Sequence, residues 1–298
     1  MTPSAHFYYL KRPEMKRIVI LIVLVAIAGV AGVVRSSVKS VSELSELVSH
    51  NKFNDVKQEI RETYQLSPGA RVEIAGLNGA VKIETSDSNT AEVYIVRTGS
   101  SQEALDRRKV LIEADSNSLR IRAEKTDSGF FSIFVGSPPA ERATLKLPRQ
   151  IALAAKGVNG SFVTGDIDGE VEITGINGRV QIGSAVGKAT FKGINGNMVV
   201  GLKRIDQEGV NLSGINGNIE LQVGAEVNAD FDAHGMNGRV LSDLPNVSID
   251  KSRHGRYSAR IGSGGSAISA KGINGNIRFT RATAAAEGMA DAAEAAKK

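Results

Sequence analysis

From residue 71 onward, apolar and polar positions alternate along much of the chain. Val72 and Ile74, and later Val81 and Ile83, share one parity, with polar or small residues at the positions between them. Successive side chains of a β-strand point to opposite faces, so a two-residue period predicts strands with one buried face and one solvent-facing face. The fold class predicted from this pattern is all-β.

A quartet made of a glycine, an apolar residue, an asparagine and a second glycine recurs within the alternating region. Its asparagines are Asn78, Asn159, Asn177, Asn195, Asn216, Asn237 and Asn274. From the second quartet onward, successive quartets start 18, 18, 21, 21 and 37 residues apart. Stacked coils place equivalent positions above one another and therefore reward a repeated corner. The pattern predicts a β-solenoid, or β-helix, of stacked 18–21-residue coils over 67–281, with the seven asparagines at its corners.

An antiparallel meander is the alternative architecture, because Asn-Gly between alternating strands is the strongest short signal for a β-hairpin. A meander needs turns, but it does not need the same quartet at a nearly constant spacing. The period therefore favours the solenoid. The last interval of 37 residues is long enough for two coils, or for one coil with an insertion.

The alternation runs through the quartet without interruption. Ile176, Val180 and Ile182 share one parity, whereas Asn177 and Arg179 occupy the other. The apolar member of each quartet is therefore expected to face inward and its asparagine outward. The two glycines allow the chain to bend by adopting positive φ.

An uncharged apolar run of 17 residues occupies 18–34. As a helix it would span roughly 25 Å, near the lower limit for crossing a bilayer. Four basic residues between 11 and 17 precede it, so the positive-inside rule predicts a short cytoplasmic tail at 1–17 and a transmembrane helix at 18–34, with the C-terminal domain periplasmic or extracellular. The alternative is a signal peptide cleaved near the Ala-Ile-Ala sequence at 26–28, which would make the protein secreted.

Three further segments are predicted from local pattern. Apolar residues at helical spacing, namely Val41, Leu44, Leu47 and Val48, indicate a helical spacer over 35–66. A short helix is expected within 100–110. The Ala-rich segment 282–298 is predicted to be a disordered tail.

Composition narrows the chemistry that the chain can perform. The sequence has no cysteine, which excludes disulfides, thiolate metal sites and a cysteine nucleophile. Its net charge of +5 owes much to the basic residues before the apolar run, and 157–281 holds 13 Lys plus Arg against 12 Asp plus Glu. Such a balance does not predict a nucleic-acid partner.

Two acidic clusters are candidates for chemistry. Asp166, Asp168, Glu170 and Glu172 alternate and offer the oxygen ligands that calcium prefers, although the segment is neither an EF-hand nor a calcium-binding nonapeptide. A solvated outer face is the expected role. Asp230, Asp232 and His234 form the densest acid and histidine cluster of the repeats, and the exposed edge of one strand is the simpler interpretation. No catalytic residue, cofactor or metal site is predicted.

A basic cluster near the C-terminal end is a possible contact for an anionic ligand. Its members are Lys251, Arg253, Arg256 and Arg260, which surround Tyr257. Arginine pairs with carboxylates and phosphates through two parallel hydrogen bonds, so an acidic glycan or a phospholipid headgroup would suit the cluster. The alternative is an ordinary charged hairpin.

The segments 71–85, 147–183 and 261–279 together resemble the bacterial putative adhesin domain of unknown function, which is related to the head GIN domain named after a Gly-Ile-Asn signature. The resemblance covers roughly 63–280. It implies a β-solenoid on a membrane-anchored or secreted chain, with no assigned enzymatic activity and no established ligand. Because that family has no assigned catalytic residues, none is carried over.

These patterns predict a non-enzymatic, envelope-exposed and membrane-tethered β-solenoid that acts as an adhesin-like binding or structural module. The membrane is the expected partner of 18–34, and an envelope glycan or protein is the possible partner of the repeats. A carbohydrate-active β-helix enzyme, with carboxylates converging in a groove, is one alternative. A membrane-anchored envelope signalling accessory is another.

Overall fold

The computed structural model describes residues 55–125, 138–253 and 255–282. The predicted cytoplasmic tail at 1–17, the apolar run at 18–34 and nearly all of the predicted disordered tail lie outside the described residues. Within the described ranges, no helix combines the length and the apolar character that crossing a bilayer requires.

Strands account for most of the described chain. The elements of its first part are β1 (Val56–Gln65), β2 (Ala70–Ala75), β3 (Val81–Ser86), β4 (Thr90–Gly99), α1 (Gln102–Asp106), β5 (Arg108–Ala114), β6 (Ser118–Lys125), β7 (Ala140–Pro148), β8 (Ile151–Lys156) and β9 (Phe162–Ile167). Those of its second part are β10 (Val171–Thr174), β11 (Val180–Val186), β12 (Ala189–Lys192), β13 (Met198–Arg204), β14 (Val210–Ser213), β15 (Ile219–Val223), β16 (Ala229–His234), β17 (Val240–Ser242), β18 (Val247–Arg253), β19 (Arg256–Ile261), β20 (Ser266–Lys271) and β21 (Ile277–Arg281).

The strands form two large sheets, which confirms the all-β class. Sheet A has ten strands in the order β1-β4-β7-β3-β9-β11-β13-β15-β21-β17. Sheet B has eleven in the order β18-β19-β16-β20-β14-β12-β10-β8-β2-β6-β5.

From β8 to β15 the chain alternates between the two sheets, and each strand pairs in parallel with the next strand of its own sheet. In sheet A, Val180 pairs with Met198, which pairs with Ile219. In sheet B, Val171 pairs with Ala189. The two strands that flank a quartet therefore belong to different sheets, so the quartets here are not hairpin turns and the meander is wrong for this region. We call the stretch from one quartet to the next a rung.

The inward rows of the rungs form one continuous apolar core. Ile176, Ile194 and Ile215, the apolar members of three successive quartets, are each at most 1% exposed. Phe231 and Phe279 meet edge to face with ring centroids 5.2 Å apart. The predicted inward parity of the apolar quartet positions is confirmed.

Close stacking explains why the quartet ends in glycine. Gly196 has φ of +155°, and a Cβ at this position would lie 2.3 Å from the carbonyl oxygen of Gly178 on the neighbouring rung. The first glycine, Gly193, has φ of +63°, a left-handed conformation that side chains disfavour. One glycine thus turns the chain, and the other lets two backbones approach.

The last 37-residue interval holds one rung with an insertion. Its inserted strands β18 and β19 form an antiparallel hairpin beside β16. The final rung then returns between the two preceding rungs, because β20 pairs with both β14 and β16 and β21 pairs with both β15 and β17. Spatial order therefore departs from chain order at this end.

The helical spacer predicted over 35–66 is wrong where it is described, because Val56–Gln65 forms β1. Val56, Ile60 and Tyr64 lie four residues apart, a spacing that places side chains on one face of a helix and also on one face of a strand. Ten antiparallel residue pairs with β4 decide for the strand. The short helix predicted within 100–110 is confirmed as α1, where the Ser101 hydroxyl accepts a hydrogen bond from the Ala104 N–H.

Candidate functional site

A narrow strip of polar side chains runs along the surface where each quartet carries the chain from sheet B to sheet A. Six quartet asparagines pair along it by isolated backbone bridges, and all six are exposed. In spatial order this asparagine side consists of Asn159, Asn177, Asn195, Asn216, Asn274 and Asn237. Neighbouring strands lie about 4.8 Å apart, so one amide projects at each such step.

Hydrogen bonds between side chains orient the asparagine side. The Asn177 Nδ2 donates to Asn159 Oδ1 at 2.9 Å, and the Asn216 Nδ2 donates to Asn195 Oδ1 at 3.2 Å. The Asn274 Nδ2 donates to Asn216 Oδ1 at 2.9 Å, and Asn237 continues the row at 3.0 Å. Asn78 departs from the others, since its Nδ2 donates to the Pro139 carbonyl. The predicted corner asparagines are thus brought together as one surface, apart from Asn78.

A second row runs parallel to the asparagine side, two residues further along five of the six rungs; on the sixth, Ser161 occupies this position beside Arg179. We call it the donor row, and in spatial order it contains Arg179, Asn197, Asn218, Asn276 and Arg239. The Asn197 Oδ1 accepts the Asn218 backbone N–H at 3.0 Å, and the Asn218 Oδ1 accepts the Asn276 N–H at 3.1 Å. A backbone N–H can only donate, so the amide oxygens must point at the backbone. The NH₂ groups of Asn197 and Asn218 are left to face solvent.

On its other flank, the asparagine side is bordered by the last residues of the sheet B strands. Lys156, Thr174, Lys192, Ser213, Lys271 and His234 follow one another there in register. Lys192 and Lys271 are exposed and, within the described ranges, have neither an ion pair nor a side-chain hydrogen bond. Arg179 and Arg239 of the donor row are also exposed, and their side chains have neither an ion pair nor a hydrogen bond within the described ranges. The count of basic and acidic residues in the sequence did not predict this arrangement, because a total charge does not show which cations lack an acidic partner.

Arg256 and Arg260 of the predicted basic cluster lie on one face with the Asp230–His234 cluster, because β16 pairs with β19. Arg260 pairs with Asp230, with 3.0 Å between Nε and Oδ1. This hydrogen bond, followed by one from the Gly265 N–H, lowers the pKa of the Asp230 carboxyl. The Lys251 Nζ lies 5.6 Å from the centroid of the Tyr257 ring, and the Arg256 position lies opposite His234. Arg253 ends β18, and its side chain lies outside the described part. Part of the predicted basic cluster thus shares one surface with the acidic cluster, and its charge is partly compensated there.

The four acids considered for calcium are distributed around a bend. Asp166 lies in sheet A and contacts Lys203, whereas Glu172 lies in sheet B and contacts Arg71 at 3.5 Å. Asp168 falls between the strands, and Glu170 pairs with Lys188 at 3.2 Å. No group of three or more histidines and acids suited to a metal occurs among the described residues. The alternation of these acids therefore does not bring them to one point.

A groove of about 410 Å³ on the outer face of sheet A offers the enzyme alternative a place for chemistry. Glu92 in its lining pairs with Lys146 at 3.6 Å, and Glu84 pairs with Lys82 at 2.9 Å. Arg61 lies over the Tyr94 ring, 4.2 Å from its centroid. Each of these carboxylates has a cation beside it, which is an ordinary arrangement for the surface of a sheet.

A buried ion cluster closes the first rung, and no sequence motif marks it. Glu141 is fully buried; its Oε1 accepts a hydrogen bond from the Arg108 Nε at 3.0 Å, and its Oε2 accepts one from the Asn78 N–H at 2.9 Å. Arg97, 5% exposed in its side chain, lies near Glu141 from β4, with its Nε at 4.0 Å. Burial lowers the pKa of the Arg97 guanidinium. Parity was the available signal, because Glu141 shares the inward parity of Ala143.

The opposite end of the rungs is closed by the inserted hairpin. Tyr257 of β19 is 5% exposed, and its hydroxyl donates to the Gly238 carbonyl at 3.0 Å. The Gly255 carbonyl accepts the Met236 N–H at 3.0 Å. Backbone groups that a further rung would have paired are satisfied by the hairpin instead, as Glu141 satisfies the Asn78 N–H at the first rung.

Comparison with solved structures finds similarity to bacterial proteins over about three quarters of the chain. A putative cell adhesion protein from Clostridium sporogenes is 15% identical, with 75% of this chain and 99% of the other covered and a TM-score of 0.39. A putative adhesin from Bacteroides fragilis is 15% identical, with coverages of 74% and 96% and a TM-score of 0.29. A putative lipid binding protein from Parabacteroides distasonis is 12% identical, with coverages of 75% and 94% and a TM-score of 0.25.

No protein-family profile matches the chain, and no curated protein is similar to it in sequence. Structural similarity at these identities and TM-scores does not assign the chain to a family or to a function.

Proposed function

We propose that the protein is a non-enzymatic binding module, built as a β-solenoid, whose ligand-binding surface is the asparagine side. The observation that carries the proposal is the row of six exposed amides held in register by the rungs beneath them. Parallel alternation between two sheets supports the solenoid architecture, because each rung then stacks on a neighbour with equivalent positions aligned.

Rigid amides at a regular spacing suit a polymer that offers hydroxyl and ether oxygens at intervals. Each Nδ2 that donates to its neighbour on the asparagine side keeps one N–H for a ligand, and each Oδ1 that accepts keeps a lone pair. Because the rungs already hold these groups in place, binding does not have to order them first. The expected ligand class is a glycan of the cell envelope.

Selective chemical blocking tests the surface, because the chain has no cysteine of its own. We expect Val199→Cys on β13, two residues beyond Asn197 and labelled with a polyethylene glycol maleimide, to lose binding to an envelope glycan array that the unlabelled variant retains. The matched control is Arg204→Cys with the same label, since Arg204 is exposed at the far end of the same strand, away from the asparagine side. Equal binding by the two labelled proteins would show that this side is not the ligand-binding surface.

The module is proposed to face the outside of the cell, tethered by 18–34 with the basic N-terminal segment in the cytoplasm. We expect protease added to intact spheroplasts to digest the repeat region while sparing an N-terminal tag. Protection of the repeats would contradict the topology. A mature chain that starts after residue 28 would favour the secreted alternative over the anchored one.

A further inference from the structure

The donor row narrows the ligand class beyond the proposed function, on which this inference rests. The geometry points to an acidic polysaccharide, a hydroxyl-rich chain with carboxylates at intervals, lying along the asparagine side between the donor row and the lysines at the ends of β12 and β20. Three independent features of this surface support the inference.

The first feature is hydrogen-bond polarity. The oxygens of Asn197 and Asn218 are occupied by backbone N–H groups, so their NH₂ groups point outward as donors. Arg179 and Arg239 stand at the two ends of the row, and guanidinium groups donate but never accept. A row that offers donors along its length selects a ligand rich in acceptors, and carboxylates are the strongest of these.

The second feature is the segregation of charge. Arg179, Lys192, Lys271 and Arg239 are exposed cations with no ion pair among the described residues, and all four border the asparagine side. Glu220, two residues beyond Asn218, accepts hydrogen bonds from Gln222 and Thr280, and two other nearby acids contact basic side chains. Glu172 contacts Lys156 at 3.8 Å and Arg71 at 3.5 Å, and Asp232 contacts His234. A local excess of positive charge therefore remains, although the repeat region as a whole is nearly balanced.

The third feature is the spacing of the cations. Lys192 and Lys271 are two strand spacings apart, or about 10 Å, and Arg179 and Arg239 are four apart, or about 19 Å. Uncharged amides and small hydroxyl side chains fill the positions between them. This pattern matches a polymer with sparse charges separated by hydroxyls.

The same pattern disfavours other polyanions. Double-stranded DNA carries a charge for roughly every 1.7 Å of its axis, far denser than these cations. Single-stranded nucleic acids are held largely by stacking on aromatic side chains, and the three rows over these rungs contain no phenylalanine, tyrosine or tryptophan. Binding at a lipid surface would call for apolar side chains that enter the headgroup region, and the exposed positions of the three rows are polar.

Hyaluronan is a suitable probe, because it carries a carboxylate on every second sugar. Its methyl-esterified form keeps the chain and removes the charge. We expect the purified full chain to bind hyaluronan in isothermal titration calorimetry, and to bind the esterified form on the order of ten-fold more weakly. Affinity should also fall as salt rises from 50 to 200 mM, about the range over which exposed charges become screened.

Two sets of variants locate the binding surface. The test variant replaces the four unpaired cations that border the asparagine side by glutamine: Arg179→Gln, Lys192→Gln, Arg239→Gln and Lys271→Gln. Its affinity for hyaluronan should fall on the order of ten-fold or more. The control removes the same charge away from these rows, at four exposed cations of sheet A: Lys146→Gln, Lys203→Gln, Arg204→Gln and Arg281→Gln.

A substitution within the donor row gives a second test that leaves the cations in place. In the double variant Asn197→Asp and Asn218→Asp, one carboxylate oxygen can still accept the backbone N–H while the other replaces an outward NH₂ group. We expect hyaluronan binding to be lost and the melting temperature to be retained.

Three outcomes would overturn the inference: no binding to hyaluronan, equal binding of the esterified form, or equal loss in the two four-residue variants. Binding to single-stranded DNA or to phosphatidylglycerol vesicles that is tighter than binding to hyaluronan, and that depends on these four cations, would also overturn it, in favour of another partner class. If the labelled Val199→Cys protein is blocked from neutral glycans while the charge variants bind normally, the proposed function stands and the acidic ligand is wrong.

Discussion

Ile194→Asp is expected to unfold the protein or to lower its free energy of unfolding by roughly 4 kcal/mol or more. Ile194 is 1% exposed and is flanked by Ile176 on one rung and Ile215 on the next. The substitution removes a buried apolar side chain, worth roughly 1.5 to 3 kcal/mol, and leaves an unpaired carboxylate in the core, which costs several more. Urea denaturation followed by far-ultraviolet circular dichroism measures the loss.

Asn197→Asp is the matched control, three residues along the same rung. Asn197 is exposed, and its Oδ1 accepts the Asn218 N–H, a bond that a carboxylate oxygen can also accept. We expect its free energy of unfolding to stay within about 0.5 kcal/mol of the parent. Small and equal losses for the two variants would contradict the inward position of the apolar quartet residue, and with it the stacked rungs on which the proposed binding surface depends.

Glu141→Gln is expected to cost roughly 3 to 5 kcal/mol, although it changes the side chain by a single group. Glu141 is fully buried against Arg108 and near Arg97. Removing its charge takes away the carboxylate that compensates two largely buried guanidinium groups, and turns an amide NH₂ or a weaker acceptor toward Arg108. Chemical denaturation of the purified variant measures the change.

Glu92→Gln provides the comparison on the same sheet. Its carboxylate pairs with Lys146 at 3.6 Å, and roughly half of each side chain is exposed. An exposed pair of this kind contributes roughly 0 to 1 kcal/mol. A cost for Glu141→Gln no larger than that for Glu92→Gln would mean that the buried cluster does not stabilise the first rung.

The alternation of inward and outward positions along a strand also identifies charged residues that are buried in the core. Arg97 shares the inward parity of Val93 and Ile95, and Glu141 shares that of Ala143, so each is a charged residue at a core position. What the sequence could not supply was their pairing, because the antiparallel register that places Arg97 opposite Glu141 joins strands that are distant along the chain. A charge at inward parity signals a partner without identifying it.

For the candidate surface too, the sequence identifies some of the residues but not which residues pair. Its asparagines could be named from the repeated quartet alone, because identical corners at a regular period indicate stacking. The unpaired cations beside them could not, since a balanced total charge says nothing about which acids and bases meet. The sequence presents the clusters around Asp230 and Arg260 as separate sites, whereas strand pairing joins them through one ion pair.

The sequence by itself determined the all-β class, the inward and outward faces of the repeat strands and the outward row of asparagines. These follow from local rules, since side-chain direction in a strand has a period of two and glycine alone tolerates the turn and the close approach. Tertiary structure decided that Val56–Gln65 is a strand, that the last rung returns between two earlier ones, and that four cations remain unpaired along one side of the described repeats. Those features depend on which strands, distant along the chain, pair with one another, and that pairing is determined by how the whole apolar core is buried.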